Sequence, residues 1–278
     1  MRNGHYITDY HCHSSISPDG HNTMREMAEA AARAGVDDLC FTDHVEPLQW
    51  VSWNDPPREK GSYDWDAMLR QFREAQEAVG GRIRLRMGAE LGECTFALDV
   101  ADSFLDAAPA LDFTIGSVHA YRLDDGTIND LCWIESGEES VWLDACERYF
   151  DELERLLDWG RFEVIGHLTL PQRYAKEMHG LDLKLNRYEE RIRHILTRAI
   201  EKGIGIECNT NRGNQPLPDA KWLRIYRELG GELITLGSDA HTPEFISRAM
   251  EQRQELLKEC GLRYFATYEK KKPSFHKI

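Results

Sequence analysis

Residues 5–13 read HYITDYHCH, and the class of the whole protein follows from this segment. Aromatic and β-branched residues precede a His11-Cys12-His13 end, which predicts a short buried strand carrying potential metal ligands. Residues two apart in a strand point to the same side, so His11 and His13 can converge on one centre. Cys12 then points the other way, and we expect it to pack in the core rather than bind a metal.

Similar apolar runs alternate with amphipathic stretches along almost the whole chain, which is typical of βα units and a parallel sheet. Strands are predicted at 5–13, 38–44, 83–90, 113–119, 163–169, 203–209 and 233–241, with a short eighth candidate at 262–268. Helices are predicted at 24–34, 65–79, 139–159, 188–202, 219–229 and 243–260. The regions 46–63 and 121–137 follow neither period and are expected to be long loops. The order predicts an α/β barrel, and residues 1–278 are expected to form a single domain.

Each predicted barrel strand ends in residues that can bind metals. The strand-end candidates are the imidazoles His11, His13, His44, His119, His167 and His241 and the carboxylates Glu90 and Asp239, and the strand at 203–209 ends in Glu207-Cys208-Asn209. In a barrel these ends meet on one face, so the side chains can share one site. Imidazole and carboxylate ligands suit zinc, iron or manganese better than calcium or magnesium. The other five histidines lie away from strand ends, and we assign them no chemistry.

The formal net charge is −14, from 48 acidic and 34 basic residues in a chain of 278. Such a charge disfavours nucleic acid as a partner and means that an anionic substrate needs bound cations to attract it. No apolar run approaches the ~20 residues of a membrane span, and the N-terminus lacks the order of a signal peptide, so we expect a cytoplasmic protein without membrane contact. The seven cysteines have neither zinc-knuckle nor disulfide spacing.

These motifs resemble those of the polymerase and histidinol phosphatase (PHP) superfamily, with the closest likeness to histidinol-phosphate phosphatases. The resemblance rests on DYHCHSSISPDG at 9–20, TDH at 42–44, GAE at 88–90, GSVH at 116–119, GH at 166–167 and GSDAH at 237–241, and extends to the tail. It implies a distorted seven-stranded α/β barrel, TIM-barrel-like, with a trinuclear metal site.

The resemblance also implies how the metal ligands are shared. One ion would take His11, His13, Glu90 and Asp239. A second would share Glu90 and add His119 and His167, and a third would take Asp19, His44 and His241. From the residues alone, Asp19 in Ser17-Pro18-Asp19-Gly20 would be an ordinary turn residue.

The expected activity is metal-dependent hydrolysis of L-histidinol phosphate, a step of histidine biosynthesis, by attack of a metal-bridging hydroxide. Two or three Zn, Fe or Mn ions are expected, with Glu90, His119, Asp239 and His241 as the catalytic group. Arg173 and Arg212 are the candidates for binding phosphate, with Ser238 and Asn209 as weaker ones. Glu46 or Glu93 is expected to receive the cationic end of the substrate. Thr169 and Asn211-Arg212 depart from the usual phosphatase pattern, which puts the exact substrate in question.

Other interpretations stay open at this point. A PHP phosphoesterase could act on a nucleotide or a sugar phosphate with the same ligands, and a non-catalytic PHP module could bind metal only. Amidohydrolase-type chemistry normally needs a metal-bridging lysine, and none lies at these strand ends. The expected partner is a small phosphorylated substrate, and the expected state is a monomer or a small homo-oligomer.

Overall fold

Seven parallel strands form the main sheet, and helices connect most of them. The computed structural model describes residues 4–49, 59–60 and 63–278. In chain order the strands are β1 (Thr8–Cys12), β2 (Asp38–Phe41), β3 (His44–Val45), β4 (Leu48–Gln49), β5 (Glu59–Lys60), β6 (Arg84–Gly92), β7 (Phe113–Ser117), β8 (Ala120–Arg122), β9 (Ile128–Asp130), β10 (Val164–Ile165), β11 (Gly205–Asn209), β12 (Ile234–Gly237), β13 (Tyr264–Glu269) and β14 (Lys272–Lys277). The helices are α1 (Met24–Ala34), α2 (Trp65–Val79), α3 (Leu98–Ala107), α4 (Glu139–Trp159), α5 (Leu170–His179), α6 (Glu189–Glu201), α7 (Ala220–Glu228) and α8 (Met250–Glu259).

The main sheet has the order β1-β2-β6-β7-β10-β11-β12, with all neighbours parallel, and the short β3 adds to β6. The end of β12 returns to β1, where Asp239 N donates to His11 O at 2.8 Å and His13 N donates to Ala240 O at 2.9 Å. These bonds nearly close the sheet into a barrel. The prediction of a distorted seven-stranded α/β barrel is confirmed.

The connecting helices pack their apolar faces on the barrel. Helix α1 begins at a capping box, in which Thr23 Oγ1 accepts from Glu26 N and the Glu26 carboxylate accepts from Thr23 N. Helix α4 buries Trp142, Tyr149 and Phe150, and the Tyr149 hydroxyl lies 3.3 Å from the Leu168 carbonyl oxygen. That contact fixes the segment that leaves β10 toward the site.

The eighth predicted strand exists as β13, but it pairs antiparallel with β14 and stands outside the barrel sheet. The turn of this hairpin lies at the amino-terminal ends of the barrel strands, where Lys270 N donates to Asp112 Oδ1 at 2.9 Å and Lys271 N donates to Asp112 O at 2.8 Å. Tyr268 N donates to the Tyr10 hydroxyl at 3.0 Å. The hairpin therefore covers the barrel end opposite the predicted ligands.

Three expectations for connecting segments need correction. The predicted helix 243–260 is broken, because Ser247 and Ala249 have φ of 53° and 62°, and only α8 is α-helical. Helices α3 and α5 were not expected. The predicted loop 121–137 contains strand β9 of the β8–β9 hairpin and a 3₁₀ turn at Leu131–Trp133. Within the predicted loop 46–63, the short strands β4 and β5 pair antiparallel. Residues 50–58 and 61–62 of that loop lie outside the described residues.

All seven cysteines are free thiols, and Cys12 is buried with its Sγ 3.4 Å from the Cys40 carbonyl oxygen, in the core as expected. Among the helices that the structure describes, none is long and apolar enough to cross a membrane.

Candidate metal centre

The nine predicted ligands come together at the carboxyl ends of the barrel strands. They come from β1 and the loop after it, from the start of β3, from β6, and from the segments that follow β7, β10 and β12. A cavity of about 770 Å³ opens over them. It is lined by Pro18, Asp19, His21, His44, Glu46, Glu93, His119, Asp130, Cys132, His167, Leu170, Arg173, Tyr174, Arg212, Asp239, His241, Thr242 and Phe245.

Glu90 is fully buried at the middle of the cluster, and its two oxygens face different histidines. Oε1 lies 3.0 Å from His167 Nε2 and 3.3 Å from His119 Nε2. Oε2 lies 3.2 Å from His11 Nε2 and 3.1 Å from His44 Nδ1. This arrangement suits a carboxylate that bridges two cations.

Asp239 and Asp19 occupy the two other sides of the cluster. Asp239 Oδ1 lies 3.3 Å from His13 Nε2, and its backbone has a left-handed φ of 58° that the bond to His11 O maintains. Asp19 Oδ2 lies 2.9 Å from His241 Nε2 and 3.7 Å from His44 Nε2. His44 thus stands between Glu90 and Asp19.

Several of these polar atoms are buried without any hydrogen-bond partner in the described part of the chain. They are Nε2 of His11 and His13, Nδ1 of His44, Oε2 of Glu90 and Oδ1 of Asp19. Such groups destabilise a fold unless something satisfies them. Tetrahedral ligands about 2.0–2.1 Å from an ion are about 3.3 Å apart, close to the separations seen around Glu90. The residues therefore fit divalent transition-metal ions.

The ligand atoms form four groups in which every atom lies within 4.8 Å of the others. The groups are His11 with His13 and Asp239, His11 with Glu90 and His167, His13 with His44 and His241, and His44 with Glu46 and His119. The groups share members, so the ligand set forms one continuous cluster.

Partners on the far side of the imidazoles orient four of the rings. His11 Nδ1 lies 2.8 Å from Glu207 Oε1, His13 Nδ1 lies 3.1 Å from Ser17 Oγ, His119 Nδ1 lies 3.2 Å from Glu93 Oε2, and His241 Nδ1 lies 3.0 Å from the Asp239 carbonyl oxygen. When Nδ1 donates these bonds, the Nε2 lone pair faces the cluster, as metal binding requires.

Sequence reasoning missed the roles of Glu207 and Ser17. Glu207 Oε2 also accepts from His167 N at 2.9 Å, so one buried carboxylate positions two candidate ligands. The available signal was a glutamate inside a strand predicted to be buried, because such a carboxylate needs strong partners. Ser17 gave no such signal, since a serine beside a proline is ordinary in turns.

Burial and neighbouring charges shift the pKa values of the candidate ligands in different directions. Burial alone would raise the pKa of Glu90, but His11 and His44 hold it well below its ordinary value. Burial and the neighbouring His241 and His44 lower the pKa of His13 to about 3. Burial opposes protonation of His11, yet Glu207 and Glu90 outweigh it and raise its pKa. A metal cation therefore competes with protons for the same nitrogens.

Both predicted arginines lie in the cavity wall. Arg173 Nη1 donates to Asp239 Oδ2 at 2.5 Å, and Arg212 Nη2 donates to both oxygens of Glu177 at 2.7 and 2.8 Å. Arg173 Nε lies 3.5 Å from Glu177 Oε2, so Glu177 links the two guanidinium groups. Burial opposes the charge of Arg173, but Asp239 raises its pKa, so it stays cationic.

The structure does not bring Ser238 and Asn209 to the cavity. Both are fully buried, with Ser238 Oγ donating to Asp9 Oδ2 at 2.6 Å and Asn209 Nδ2 donating to Glu207 Oε2 at 3.1 Å. Their expected contact with phosphate is therefore corrected, because their polar groups are engaged inside the barrel wall.

Glu46 and Glu93, the expected receivers of a cationic group, do line the cavity. Both oxygens of Glu93 are engaged by His119, with His119 N donating to Oε1 at 2.8 Å. Glu46 Oε1 lies 3.4 Å from His44 Nδ1. These two carboxylates belong to the histidine cluster.

Comparison with known proteins places this geometry in a family. The chain is 28% identical over 273 residues to a probable histidinol-phosphatase of Thermotoga maritima, covering 95% of this chain and 97% of that one. It is 26% identical over 270 residues to the histidinol-phosphatase of Lactococcus lactis, covering 94% and 93%.

Two solved structures share the fold. One is histidinol phosphate phosphatase of Lactococcus lactis in complex with zinc, L-histidinol and phosphate, with a TM-score of 0.73, 24% identity and coverage of 97% of this chain and 99% of that one. The other is a Listeria monocytogenes protein described as a histidinol phosphatase, with a TM-score of 0.72, 18% identity and coverage of 88% of this chain and 99% of that one.

The resemblance inferred from the strand-end motifs is confirmed by the family comparison. The sequence pattern of the PHP domain matches residues 9–211, which include seven of the nine candidate ligands, His11 to His167. This chain therefore belongs to the PHP domain family.

Proposed function

We propose that this protein is a metal-dependent phosphomonoesterase that hydrolyses L-histidinol phosphate to L-histidinol and phosphate. The observation that carries the proposal is Glu90, a buried carboxylate whose two oxygens face separate sets of imidazole nitrogens under an open cavity. The relatives named above support the substrate, because they cover nearly all of the chain and are named for this activity.

The metal ligands are proposed residue by residue. His11, His13, Glu90 and Asp239 would hold one ion, Glu90 with His119 and His167 a second, and Asp19 with His44 and His241 a third. Zinc, iron and manganese all suit such ligands, and zinc is present in the Lactococcus lactis structure. Divalent ions bound here supply an activated water nucleophile at neutral pH and polarise phosphoryl oxygens.

The chain's own residues orient the phosphate. Arg173 and Arg212 present planar guanidinium groups from one wall of the cavity, which matches the geometry of phosphate oxygens. Their present partners, Asp239 and Glu177, hold the two side chains in place until an anion arrives. The arginines and the bound cations together attract an anion to a chain whose net charge is −14.

The test is phosphate release from L-histidinol phosphate by chelator-treated enzyme reloaded with manganese or zinc. A panel of nucleotides, sugar phosphates and p-nitrophenyl phosphate serves for comparison. We expect a large preference in kcat/KM for L-histidinol phosphate, and loss of all activity in Glu90→Gln but not in the exposed control Glu255→Gln. Equal activity on every ester would refute L-histidinol phosphate as the specific substrate. The proposal of a metal-dependent phosphoesterase would still stand. No activity with any metal would favour a non-catalytic module.

A further inference from the structure

A buried carboxylate, Asp43, lies behind the histidine cluster, and the proposed metal and phosphate binding give it no role. Asp43 is 1% exposed and lies between β2 and β3, directly before His44. Its Oδ1 accepts from Ser14 N at 2.6 Å, from Ser17 N at 3.2 Å and from Ser17 Oγ at 2.8 Å, and its Oδ2 accepts from Ser14 Oγ at 2.9 Å. Four hydrogen bonds therefore tie Asp43 to the loop that follows β1.

The loop that Asp43 holds is tightly closed on itself. Ser17 N also donates to Ser14 O at 3.0 Å, and Gly20 N donates to Ser17 O at 3.1 Å. A Cβ at Gly20 would lie 1.8 Å from Ser14 O, so the chain has no room for a side chain at this point. The Ser17 hydroxyl is therefore held in place, with Asp43 on one side and the imidazole of His13 on the other.

The direction of the Ser17 hydroxyl proton follows from the groups around it. Asp43 Oδ1 faces two backbone N–H groups, which can only donate, so this oxygen is an acceptor and the Ser17 hydroxyl donates to it. His44 N donates to Ser17 Oγ at 3.0 Å and occupies one of its lone pairs. A hydroxyl has one proton and two lone pairs, so Ser17 Oγ can only accept from His13 Nδ1, which lies 3.1 Å away.

Groups on the other side of the same imidazole attract the proton in the opposite direction. His13 Nε2 lies 3.3 Å from Asp239 Oδ1 and 3.5 Å from Glu90 Oε2. Both carboxylates favour a proton on Nε2, and an imidazole protonated there has no lone pair for a metal ion. A neutral imidazole carries one proton, so a hydrogen bond that keeps this proton on Nδ1 leaves Nε2 free. For His11 and His119 a carboxylate faces Nδ1 directly, whereas His13 depends on a hydroxyl.

We propose that Asp43, acting through the Ser17 hydroxyl, fixes the proton of His13 on Nδ1 and so keeps Nε2 free to bind a metal ion. A serine hydroxyl by itself can donate to an imidazole or accept from it, and the Asp43 carboxylate decides between the two. Asp43 and Ser17 are positioning residues, because they act through His13. The inference rests on the proposed function, in which His13 is a metal ligand, but the position of the proton can be measured in the metal-free protein.

The test compares Ser17→Ala with its matched control Ser14→Ala. Each change removes a buried hydroxyl that donates to Asp43, but of the two hydroxyls only that of Ser17 contacts His13. Nitrogen-15 NMR of histidine-labelled, chelator-treated protein shows which ring nitrogen carries the proton. We expect a proton on His13 Nδ1 in the wild type and in Ser14→Ala, and loss of this preference in Ser17→Ala. Zinc affinity, measured by competitive chelator titration, should fall about 10- to 100-fold in Ser17→Ala and stay at the wild-type value in Ser14→Ala.

Two changes at Asp43 test the acceptor itself. Asp43→Asn keeps an oxygen that accepts from Ser17 Oγ and should keep the proton on His13 Nδ1, whereas Asp43→Ala frees the hydroxyl to donate and should move the proton to Nε2. An unchanged proton position in Asp43→Ala, or equal zinc affinities of Ser17→Ala and Ser14→Ala, would overturn the proposal. If Asp43→Ala does not fold, the two serine variants decide alone. Zinc binding without phosphatase activity would reject the proposed function and leave this inference standing, because neither measurement uses a substrate.

Discussion

At the scale of single residues, Glu207 shows how much of the site depends on groups that do not reach the cavity. Its two oxygens accept from the His11 ring and from His167 N, and it also bonds Asn209 Nδ2. An amide in its place has one acceptor oxygen for three donors. The orientation of the His11 ring is therefore expected to depend on the negative charge of Glu207.

We predict that Glu207→Gln lowers metal affinity or activity by about 10- to 100-fold, as for other groups that orient metal-binding histidines. Metal content after dialysis and a competitive chelator titration measure the change. Glu201→Gln, at an exposed position before the same strand, should match the wild type. Unchanged metal affinity in Glu207→Gln would show that the His11 ring is oriented by its packing alone.

Gly237 is required by close packing rather than by its backbone angles. A Cβ at this position would lie 2.2 Å from Glu207 Oε1 and 2.4 Å from His11 Cβ. We predict that Gly237→Ala costs about 1–3 kcal/mol of stability, as overpacking of a core does, and reduces metal content. Thermal unfolding and metal analysis check both effects. Gly137→Ala, where the added carbon would lie 3.5 Å from His179 Cβ, is the control and should change neither.

At the scale of elements, the hairpin of β13 and β14 completes the end of the barrel opposite the cavity. The Tyr10 hydroxyl accepts from Tyr268 N at 3.0 Å and lies 3.2 Å from both Asp38 Oδ1 and the Tyr268 carbonyl oxygen. Tyr10 is 1% exposed, so these groups have no water to replace the hydroxyl.

We predict that Tyr10→Phe costs about 1–3 kcal/mol of unfolding free energy, because it leaves buried polar groups unpaired. Activity per bound metal should not change, since the hairpin contacts lie away from the cavity. Urea unfolding measures the stability, with Tyr264→Phe as the control at a surface position of β13 that is 46% exposed. Equal stability of the two variants would contradict the role given to the hydroxyl.

The strands were predictable because each combines an apolar run with polar residues at its carboxyl end. The lengths of the strands were not predictable. Strand β10 is only Val164–Ile165, because the chain turns at Gly166, where an added Cβ would lie 2.4 Å from Ser117 Oγ. Helix α5 was missed because it starts almost at once, with Pro171 in its first turn, so the helical position of Arg173 was not predicted.

The convergence of the candidate metal ligands was predictable from motif and strand position, while the burial of two of the phosphate candidates was not. Ser238 and Asn209 flank the site in sequence, yet the left-handed backbone at Asp239 directs its carboxylate to the histidines while Ser238 bonds to Asp9. Position next to a ligand does not reveal which way a side chain points once the strand ends and the regular alternation stops.

At the scale of the whole molecule, stability and metal binding should be linked. Several buried carboxylate and imidazole atoms at the strand ends lack hydrogen-bond partners in the described structure, so ions that bind only the folded state will stabilise it. At a free metal concentration of 100 times Kd, the gain is about 2.7 kcal/mol. For a chain of this size this corresponds to a Tm rise of about 5 °C.

We therefore expect chelation to lower Tm and added zinc or manganese to restore it, measured by scanning calorimetry. The same concentration of a potassium salt serves as the control for ionic strength. A Tm that does not respond to chelation of a fully loaded sample would mean that the ions contribute nothing to folding, which would contradict the linkage.

The seam between β1 and β12 bears on how the protein is made. His11 and His13 near the start of the chain share the cluster with Asp239 and His241 near its end, and the backbone bonds at Asp239 and Ala240 join the two. Contacts so distant in sequence form late, after the intervening units have folded. A chain still emerging from the ribosome holds most of the ligands but cannot assemble the complete set. Full metal occupancy would then report that synthesis has passed the last barrel strand and that the ring has closed.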